Sequence, residues 1–229
     1  MGYKHTLLTF LLAAAPLAGA IAQNADAPAA AEPPVAAQAP AADAAAAPAA
    51  AVPATAAICA ACHNMDGNSA LPDYPKLAGH HPEYLLKQLH DFKPVGDKPP
   101  LRDNAIMLGM IATLTDQDMV ELANYFAAQT PTIGEAKPET LELGKSIWQG
   151  GIPAKGVPAC AGCHGANGSG MPVQYPRLSG QHPEYVVAQI QAFQTGTRKN
   201  DLNGVMQDIA QRLTPAEMQA VANAIAGLH

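Results

Sequence analysis

The chain has few large side chains with which to fill a protein core. Only 5% of its 229 residues are aromatic. The 48% of nominally hydrophobic residues is inflated by alanine, which supplies 18 of the 33 residues from Gln23 to Thr55 and buries little apolar area. The composition therefore predicts small domains with lean cores, which something other than their own side chains has to complete.

Basic residues are also scarce. The 13 Lys and Arg residues are outnumbered by 19 Asp and Glu, so the formal net charge is −6. Nucleic-acid binding needs a basic face, and the sequence therefore disfavours a nucleic-acid partner. The composition also excludes collagen, a coiled coil and a membrane protein with several spans.

Residues 1–22 have the pattern of a secretory signal peptide. Lys4 and His5 form a short positive start, an uncharged apolar stretch follows, and Ala20-Ile21-Ala22 supplies a small-x-small cleavage site. Cleavage after Ala22 and retention as an N-terminal anchor both stay open. In either case the rest of the chain is expected to be exported.

Residues 23–55 are predicted to be a disordered Ala/Pro-rich tail or tether. Six prolines interrupt the alanine run, and each breaks a helix. The stretch has almost nothing large to bury, so nothing offsets the entropy lost on ordering. If the signal is retained, this tract would hold the following domains away from the membrane.

The remaining residues form two copies of one sequence, predicted as domains 56–132 and 133–229. Internal repetition of this kind is the signature of a duplicated structural unit. At an offset of 101, Cys59–His63 recurs as Cys160–His164 and Tyr74–Gly79 recurs as Tyr175–Gly180. Two residues then drop out, after which Met107 pairs with Met206 and Leu114-Thr115 with Leu213-Thr214.

Both copies are predicted to be helical. Leu85, Leu89 and Phe92 recur at the i, i+4, i+7 spacing of one helix face. The last helix of each copy has a start signal, because Thr115 and Thr214 are each followed three residues later by an acidic residue. No stretch shows the alternation of a strand, so the predicted fold is all-α, twice over.

The cysteines indicate the cofactor. Four cysteines in an exported chain could form disulfides, dithiol redox sites or, with histidines, a zinc site. However, a histidine directly follows the second cysteine in both copies, and Cys-x-x-Cys-His is the attachment motif of covalent c-type haem. We therefore expect two covalent haems, with thioether bonds and proximal iron ligands from Cys59, Cys62, His63, Cys160, Cys163 and His164.

Symmetry selects the second iron ligands. Met107 and Met206 are shared by the copies, and each lies seven residues before a Leu-Thr helix start, in a predicted loop. Met110 is the alternative for the first haem. Met119 and Met218 are also shared, but they lie on the inward face of the last helix, where core packing is the better interpretation.

Other side chains are expected to support the haems. Pro75 and Pro176 each lie 12 residues after their histidine, and their carbonyl groups are predicted to accept the second imidazole proton. Trp148 is expected to pack on the second haem. His81 and His182 precede helix starts, where a capping or surface role is favoured over iron ligation.

The two copies resemble the class I cytochrome c domain, and their tandem arrangement resembles the dihaem cytochrome c4 family. The resemblance runs from about Ala56 to His229 and includes the haem motifs, the Tyr-Pro-Lys/Arg-Leu-x-Gly segments, Leu114–Asp118 and the terminal Ile225–His229. It implies two His/Met haems in tandem domains related by a pseudo-twofold axis. The chain departs from the family where the Ala/Pro tract replaces a Gly-Lys-containing helix before Cys59.

The resemblance also implies a periplasmic carrier that passes electrons from a quinol-oxidising complex towards a terminal oxidase. A haem with both axial positions filled has no place for a substrate, so the protein is not expected to be an enzyme. A two-haem peroxidase would need an open iron, and a thiosulfate dehydrogenase would need a cysteine ligand. A haem-bearing subunit of a periplasmic dehydrogenase complex would use the same ligands and stays open.

Charge is distributed unevenly between the copies. Residues 56–132 contain 5 basic and 9 acidic residues, a net charge of −4, whereas residues 133–229 contain 7 of each. We expect the acidic first domain, with Asp116, Asp118 and Glu121, to steer towards a basic partner. The two ends of the molecule are therefore predicted to dock different partners.

Overall fold

The computed structural model describes residues 52–229 and the single residue Gly2, so the predicted signal peptide and most of the predicted tether lie outside the described residues. Residues 52–229 form nine α-helices, α1 to α9, which span Ala56–His63, Pro82–Asp91, Ala105–Ile111, Asp116–Ala127, Pro138–Gly150, Ala161–His164, Pro183–Thr195, Val205–Gln211 and Pro215–Ala226. Two short 3-10 turns cover Pro153–Lys155 and Leu202–Gly204. Strand pairing in these residues is limited to isolated bridges, which confirms the all-α fold. None of these helices is both long and apolar enough to cross a membrane.

The helices repeat in the predicted order. Helices α1 to α4 form the first copy, and α6 to α9 are their counterparts in the second. Helix α5 has no counterpart among the described residues of the first copy. It packs so closely against α9 that a Cβ atom on Gly144 would collide with the carbonyl oxygen of Ala220. Glycine at this position therefore lets the two helix backbones meet.

Each copy has its own hydrophobic core. Leu122 and Phe126 of α4 are buried in the first core, and Val221 and Ile225 of α9 are buried in the second. The second core also contains Trp148 of α5, which is 1% exposed. Both cores lie beside the helices that carry the cysteines, because Cys59 and Cys160 pack against them.

Capping boxes start α4 and α9, as the sequence predicts. The Thr115 hydroxyl accepts a hydrogen bond from the Asp118 N–H at 3.1 Å, and the Asp118 carboxylate accepts from the Thr115 N–H at 2.8 Å. Thr214 and Glu217 form the same reciprocal pair. Each box satisfies backbone donors that the first turn of a helix leaves free.

The residues between α4 and α5 are attached to both copies. The Thr132 N–H donates to Asn68 Oδ1 at 2.8 Å, and the Lys137 N–H donates to Asn223 Oδ1 at 2.7 Å. The connection therefore runs along the surface of the first copy before it reaches the second. The boundary at 132/133 stays a prediction.

Candidate haem sites

Each copy carries its two cysteines and its histidine within one short helical segment. Helix α1 ends at His63 and α6 ends at His164. The two cysteines of each motif are three residues apart, which brings both side chains to one side of the helix. All four cysteines are half-buried and free of disulfides, and they line a continuous cavity of about 460 Å³.

The structure contains the histidine–proline bonds that the sequence predicts. His63 Nδ1 donates to the carbonyl oxygen of Pro75 at 2.8 Å, and His164 Nδ1 donates to that of Pro176 at 3.0 Å. These bonds leave Nε2 of each ring available for a metal. Burial lowers the pKa of both histidines, and the carbonyl bonds offset this only partly. Both rings are therefore neutral at pH 7, as an iron ligand must be.

The backbone that supplies each proline is fastened to the loop after the haem motif. The Leu77 N–H donates to the carbonyl oxygen of Gly67 at 2.6 Å, and the Leu178 N–H donates to that of Gly168 at 2.8 Å. Gly67 has a φ of +69°, and a Cβ atom there would lie 2.9 Å from the Ala78 nitrogen. Glycine is therefore required for both the backbone conformation and the close approach.

The cysteine environment argues against a dithiol redox site. Burial raises the pKa of the Cys59 thiol and raises that of Cys160 to about 11. A redox-active thiol needs a low pKa, because the thiolate is the nucleophile. Within residues 52–229, no group of three or more His, Cys, Asp or Glu side chains is arranged to hold a metal ion.

The methionines divide as the sequence predicts, but their secondary structure differs from the prediction. Met107 and Met206 both line the cavity, whereas Met119 and Met218 are buried in the two cores at 0% and 1% exposure. Met110 also lines the cavity and is 44% exposed. The predicted loop is wrong: Met107 lies in α3 and Met206 in α8. Each is in the first turn of a seven-residue helix, too short to show a clear apolar period.

Both short helices are held at their ends. Asn104 caps α3, because its side chain accepts a hydrogen bond from the Met107 N–H at 2.9 Å. Lys93 Nζ donates to the carbonyl oxygen of Leu114 at 2.6 Å, beyond the C-terminal end of α3. In the second copy, Gln194 takes the place of Lys93 and donates to the carbonyl oxygen of Leu213 at 3.1 Å. These bonds position the segments that carry the two methionines.

The lining of the cavity has the chemistry of a c-type haem site. Its wall is mainly apolar and includes side chains of both copies. Trp148, which is predicted to pack on the second haem, lines the cavity with its ring centre 6.4 Å from that of His164. Its Nε1 donates to the carbonyl oxygen of Ala166 at 2.9 Å, which fixes the ring. Paired cysteines, a neutral histidine and an apolar wall match the chemistry of a c-type haem site.

His81 and His182 connect the two copies. His81 Nε2 bonds to the carbonyl oxygen of Ser169 at 3.0 Å, and His182 Nε2 bonds to that of Ser69 at 2.9 Å. Both residues stand at helix N-caps, but neither side chain makes a capping bond. Of the expected capping or surface role, the capping part is therefore wrong, and the side chains instead bond to the backbone of the other copy. The reciprocal pattern is that of a pseudo-twofold relation between the copies.

Sequence reasoning missed an arginine cluster where the two copies meet. Arg102 and Arg198 lie opposite each other, joined by an isolated antiparallel bridge of their backbones. Arg102 is five residues before Met107, whereas Arg198 is eight before Met206, so the repeat does not place them in register. Both line the cavity. The cluster also includes Tyr84, Gln88, Asp91, Tyr185, Gln189 and Asn200.

His80 is a second residue that sequence reasoning missed, because the equivalent position of the second copy is Gln181 and the two copies therefore do not match there. Gln181 bonds across the interface to the backbone N–H and carbonyl of Lys76, at 2.9 and 3.0 Å. His80 is buried against Tyr84, with ring centres 5.5 Å apart, and its Nδ1 has no hydrogen-bond partner among the described residues. It lines the cavity as well.

Comparison with known proteins gives the class of protein. The cytochrome c family model matches residues 46–129 and 141–228, one copy in each domain. The chain is thus a c-type cytochrome with two haem-binding domains, and its two Cys-x-x-Cys-His motifs carry two covalently bound haems.

Relatives at higher identity define the family within that class. Cytochrome c4 of Azotobacter vinelandii is 47% identical over 181 residues, which cover 76% of this chain and 86% of that protein. The crystal structure of reduced cytochrome c4 from Pseudomonas stutzeri matches with a TM-score of 0.74 and 38% identity, covering 79% of this chain and 98% of that one. A protein of Thiomonas intermedia named thiosulfate dehydrogenase electron acceptor is 37% identical, covering 75% of this chain and 78% of that protein. The chain belongs to the cytochrome c4 family of dihaem electron carriers.

Proposed function

We propose that His63 with Met107 and His164 with Met206 bind the two haem irons of a periplasmic one-electron carrier. The observation that carries this proposal is the repeated placement of a neutral histidine and a methionine on the cavity wall, on different helices. Pro75 and Pro176 orient the histidines. Each haem supplies reversible one-electron chemistry when bound, and thioether ligation favours its reduced state relative to two histidines. With a histidine and a methionine both bound to it, each iron would have no free position for a substrate.

The electrons come from a quinol-oxidising complex and pass towards a terminal oxidase. Membership of the cytochrome c4 family supports this direction of flow. Export by the predicted signal peptide places the protein in the periplasm with both partners. Peripheral association with the membrane follows if residues 1–22 are retained.

A second candidate function is that of the electron-accepting partner of a periplasmic dehydrogenase. The observation in its favour is the 37% identity to a protein named thiosulfate dehydrogenase electron acceptor. The same haem ligands would serve this role. The donor is therefore what separates the two functions.

Two measurements on the full-length exported protein test these proposals. Intact mass and optical spectra come first. We expect two covalent haems and low-spin spectra in both oxidation states, and one haem or high-spin iron would overturn the ligand assignment.

Stopped-flow reduction then compares two electron donors. One is a solubilised quinol-oxidising complex with quinol, and the other is a purified thiosulfate dehydrogenase with thiosulfate. Faster reduction by the quinol-oxidising complex supports the respiratory carrier, and faster reduction by the dehydrogenase supports the second candidate.

A further inference from the structure

Arg102 is anchored in the first domain but bonds to the second. Its backbone N–H donates to the carbonyl oxygen of Asp91 at 2.9 Å, and its guanidinium carbon lies 4.6 Å from the ring centre of Phe92. One guanidinium nitrogen donates to the Tyr185 hydroxyl at 2.8 Å and to Gln189 Oε1 at 3.0 Å. Both acceptors belong to α7 of the second domain.

Arg198 makes the reciprocal set of contacts. Its guanidinium carbon lies 4.5 Å from the ring centre of Phe193, within its own domain. Its NH2 group donates across the interface to the Tyr84 hydroxyl at 3.2 Å and to Gln88 Oε1 at 3.3 Å. Each arginine therefore stacks on the phenylalanine of its own domain and donates to the tyrosine and glutamine of the other.

The cluster contains more positive than negative charge. Its carboxylate, Asp91, is already paired with Lys87 and bonded to Asn200. The described partners of the two guanidinium groups are neutral: tyrosine hydroxyls and amide oxygens. Arg198 is only 8% exposed, and Arg102 is partly buried. A buried cation is costly without an anionic counterpart.

The shared cavity supplies a place for that counterpart. Both arginines line the cavity that the four haem-attachment cysteines also line, and a haem carries two carboxylate side chains. We propose that Arg102 and Arg198 form one cationic cluster that pairs with carboxylate side chains of both haems. Each domain would thereby tune the reduction potential of the haem in the other. This proposal rests on the binding of two haems and makes no assumption about the redox partners. Its failure would therefore leave the proposed function of an electron carrier unaffected.

The expected effect follows from the charge on the iron. A reduced haem carries one positive charge fewer than an oxidised one, so a nearby cation stabilises the reduced state. The interaction is only weakly screened because the cluster is shielded from solvent. Removal of one guanidinium charge should therefore lower both potentials, whichever domain contained the arginine.

Arg102→Gln and Arg198→Gln in the full-length holoprotein test the proposal. Redox titration measures the two potentials, and haem methyl NMR signals assign each to its haem. We expect each variant to lower the reduced-to-oxidised ratio of both haems at a fixed potential by about tenfold, equivalent to about 59 mV for a one-electron couple. A shift confined to the haem of the mutated domain, or no shift, would overturn the shared cluster.

Two further variants separate charge from folding. Arg102→Lys keeps the positive charge but loses the forked geometry, so both potentials should stay close to those of the unchanged protein even if thermal stability falls. Arg212→Gln removes an exposed arginine that is paired with Asp208, and should leave both potentials in place. Potentials that fall as far in Arg102→Lys as in Arg102→Gln would show that structure, and not charge, is responsible.

Discussion

At the scale of single residues, His80 is a titratable side chain in an environment that disfavours its charge. Burial and the nearby Arg177 guanidinium lower its pKa to about 4. An unfolded chain would protonate this histidine near pH 6.5. Between these two pH values the unfolded state therefore binds a proton that the folded state does not, and the folded state loses stability as the pH falls.

Replacement of His80 by Gln, the residue at the equivalent position of the second domain, should remove this dependence. From pH 6.5 down to pH 4 we expect the unchanged protein to lose about 3 kcal/mol of unfolding free energy relative to His80→Gln. Denaturant unfolding of both holoproteins across this range measures the difference. A difference that stays constant with pH would show that His80 titrates normally. His90→Gln, at an exposed position of α2, serves as the control.

The choice between Met107 and Met110 is also a question about single residues. Both line the cavity, but only Met107 has a counterpart, Met206, in the second domain. Met107→Ala should make one haem of two high-spin and abolish half of the sulfur-to-iron charge-transfer absorption of the oxidised protein. Met110→Ala should leave the absorption unchanged. The opposite pattern would assign the ligand to Met110.

At the scale of helices, α3 illustrates how one cap can position Met107, the ligand that we propose for the first haem iron. Asn104 accepts a hydrogen bond from the N–H of Met107 itself, so the cap contacts the proposed ligand directly. Asn104→Ala should cost about 1 kcal/mol of stability and make the charge-transfer absorption vanish at a lower temperature. Asn104→Ser, which retains a capping oxygen, should behave like the unchanged protein. Equal melting of the absorption in both variants would contradict this role for the cap.

The helices also show what sequence can predict and what it cannot. Strong local signals, such as the capping boxes at Thr115 and Thr214 and the repeated face of α2 and α7, appear at the predicted positions. Helices α3 and α8 were missed because seven residues cover only two turns and contain little periodic information. Met107 and Met206 nevertheless both line the cavity, because the repeat, and not the secondary structure, identified them; their role as iron ligands stays a prediction.

At the scale of the whole molecule, the interface between the domains was beyond sequence reasoning. The repeat predicts two similar units, but residues that pair across a pseudo-twofold axis need not share a repeat position. Arg102 and Arg198 lie in segments of different length. His80 occupies the position at which the second domain has Gln181, so the two domains differ there as well. Such contacts depend on how two surfaces meet, and a single sequence contains no local signal for that.

The uneven charge of the two domains leads to a prediction about docking. Asp116 and Glu121 are exposed on α4, whereas the Asp118 carboxylate accepts hydrogen bonds from Thr115 in the capping box. The double variant Asp116→Asn/Glu121→Gln therefore removes two charges from the acidic first domain and leaves the cap intact. Because salt screens exposed charges, the rate of electron transfer to a basic partner should fall with ionic strength in the unchanged protein.

Stopped-flow oxidation by a cationic ruthenium ammine complex measures this steering. The double variant should react severalfold more slowly at low ionic strength and converge on the unchanged protein at high ionic strength. Glu139→Gln/Glu142→Gln, which removes two exposed charges from α5 of the second domain, should have a smaller effect because that domain is neutral overall. Equal effects of the two double variants would mean that net charge alone steers the reagent. An unchanged salt dependence in the first variant would show that the acidic face of α4 does not take part in docking.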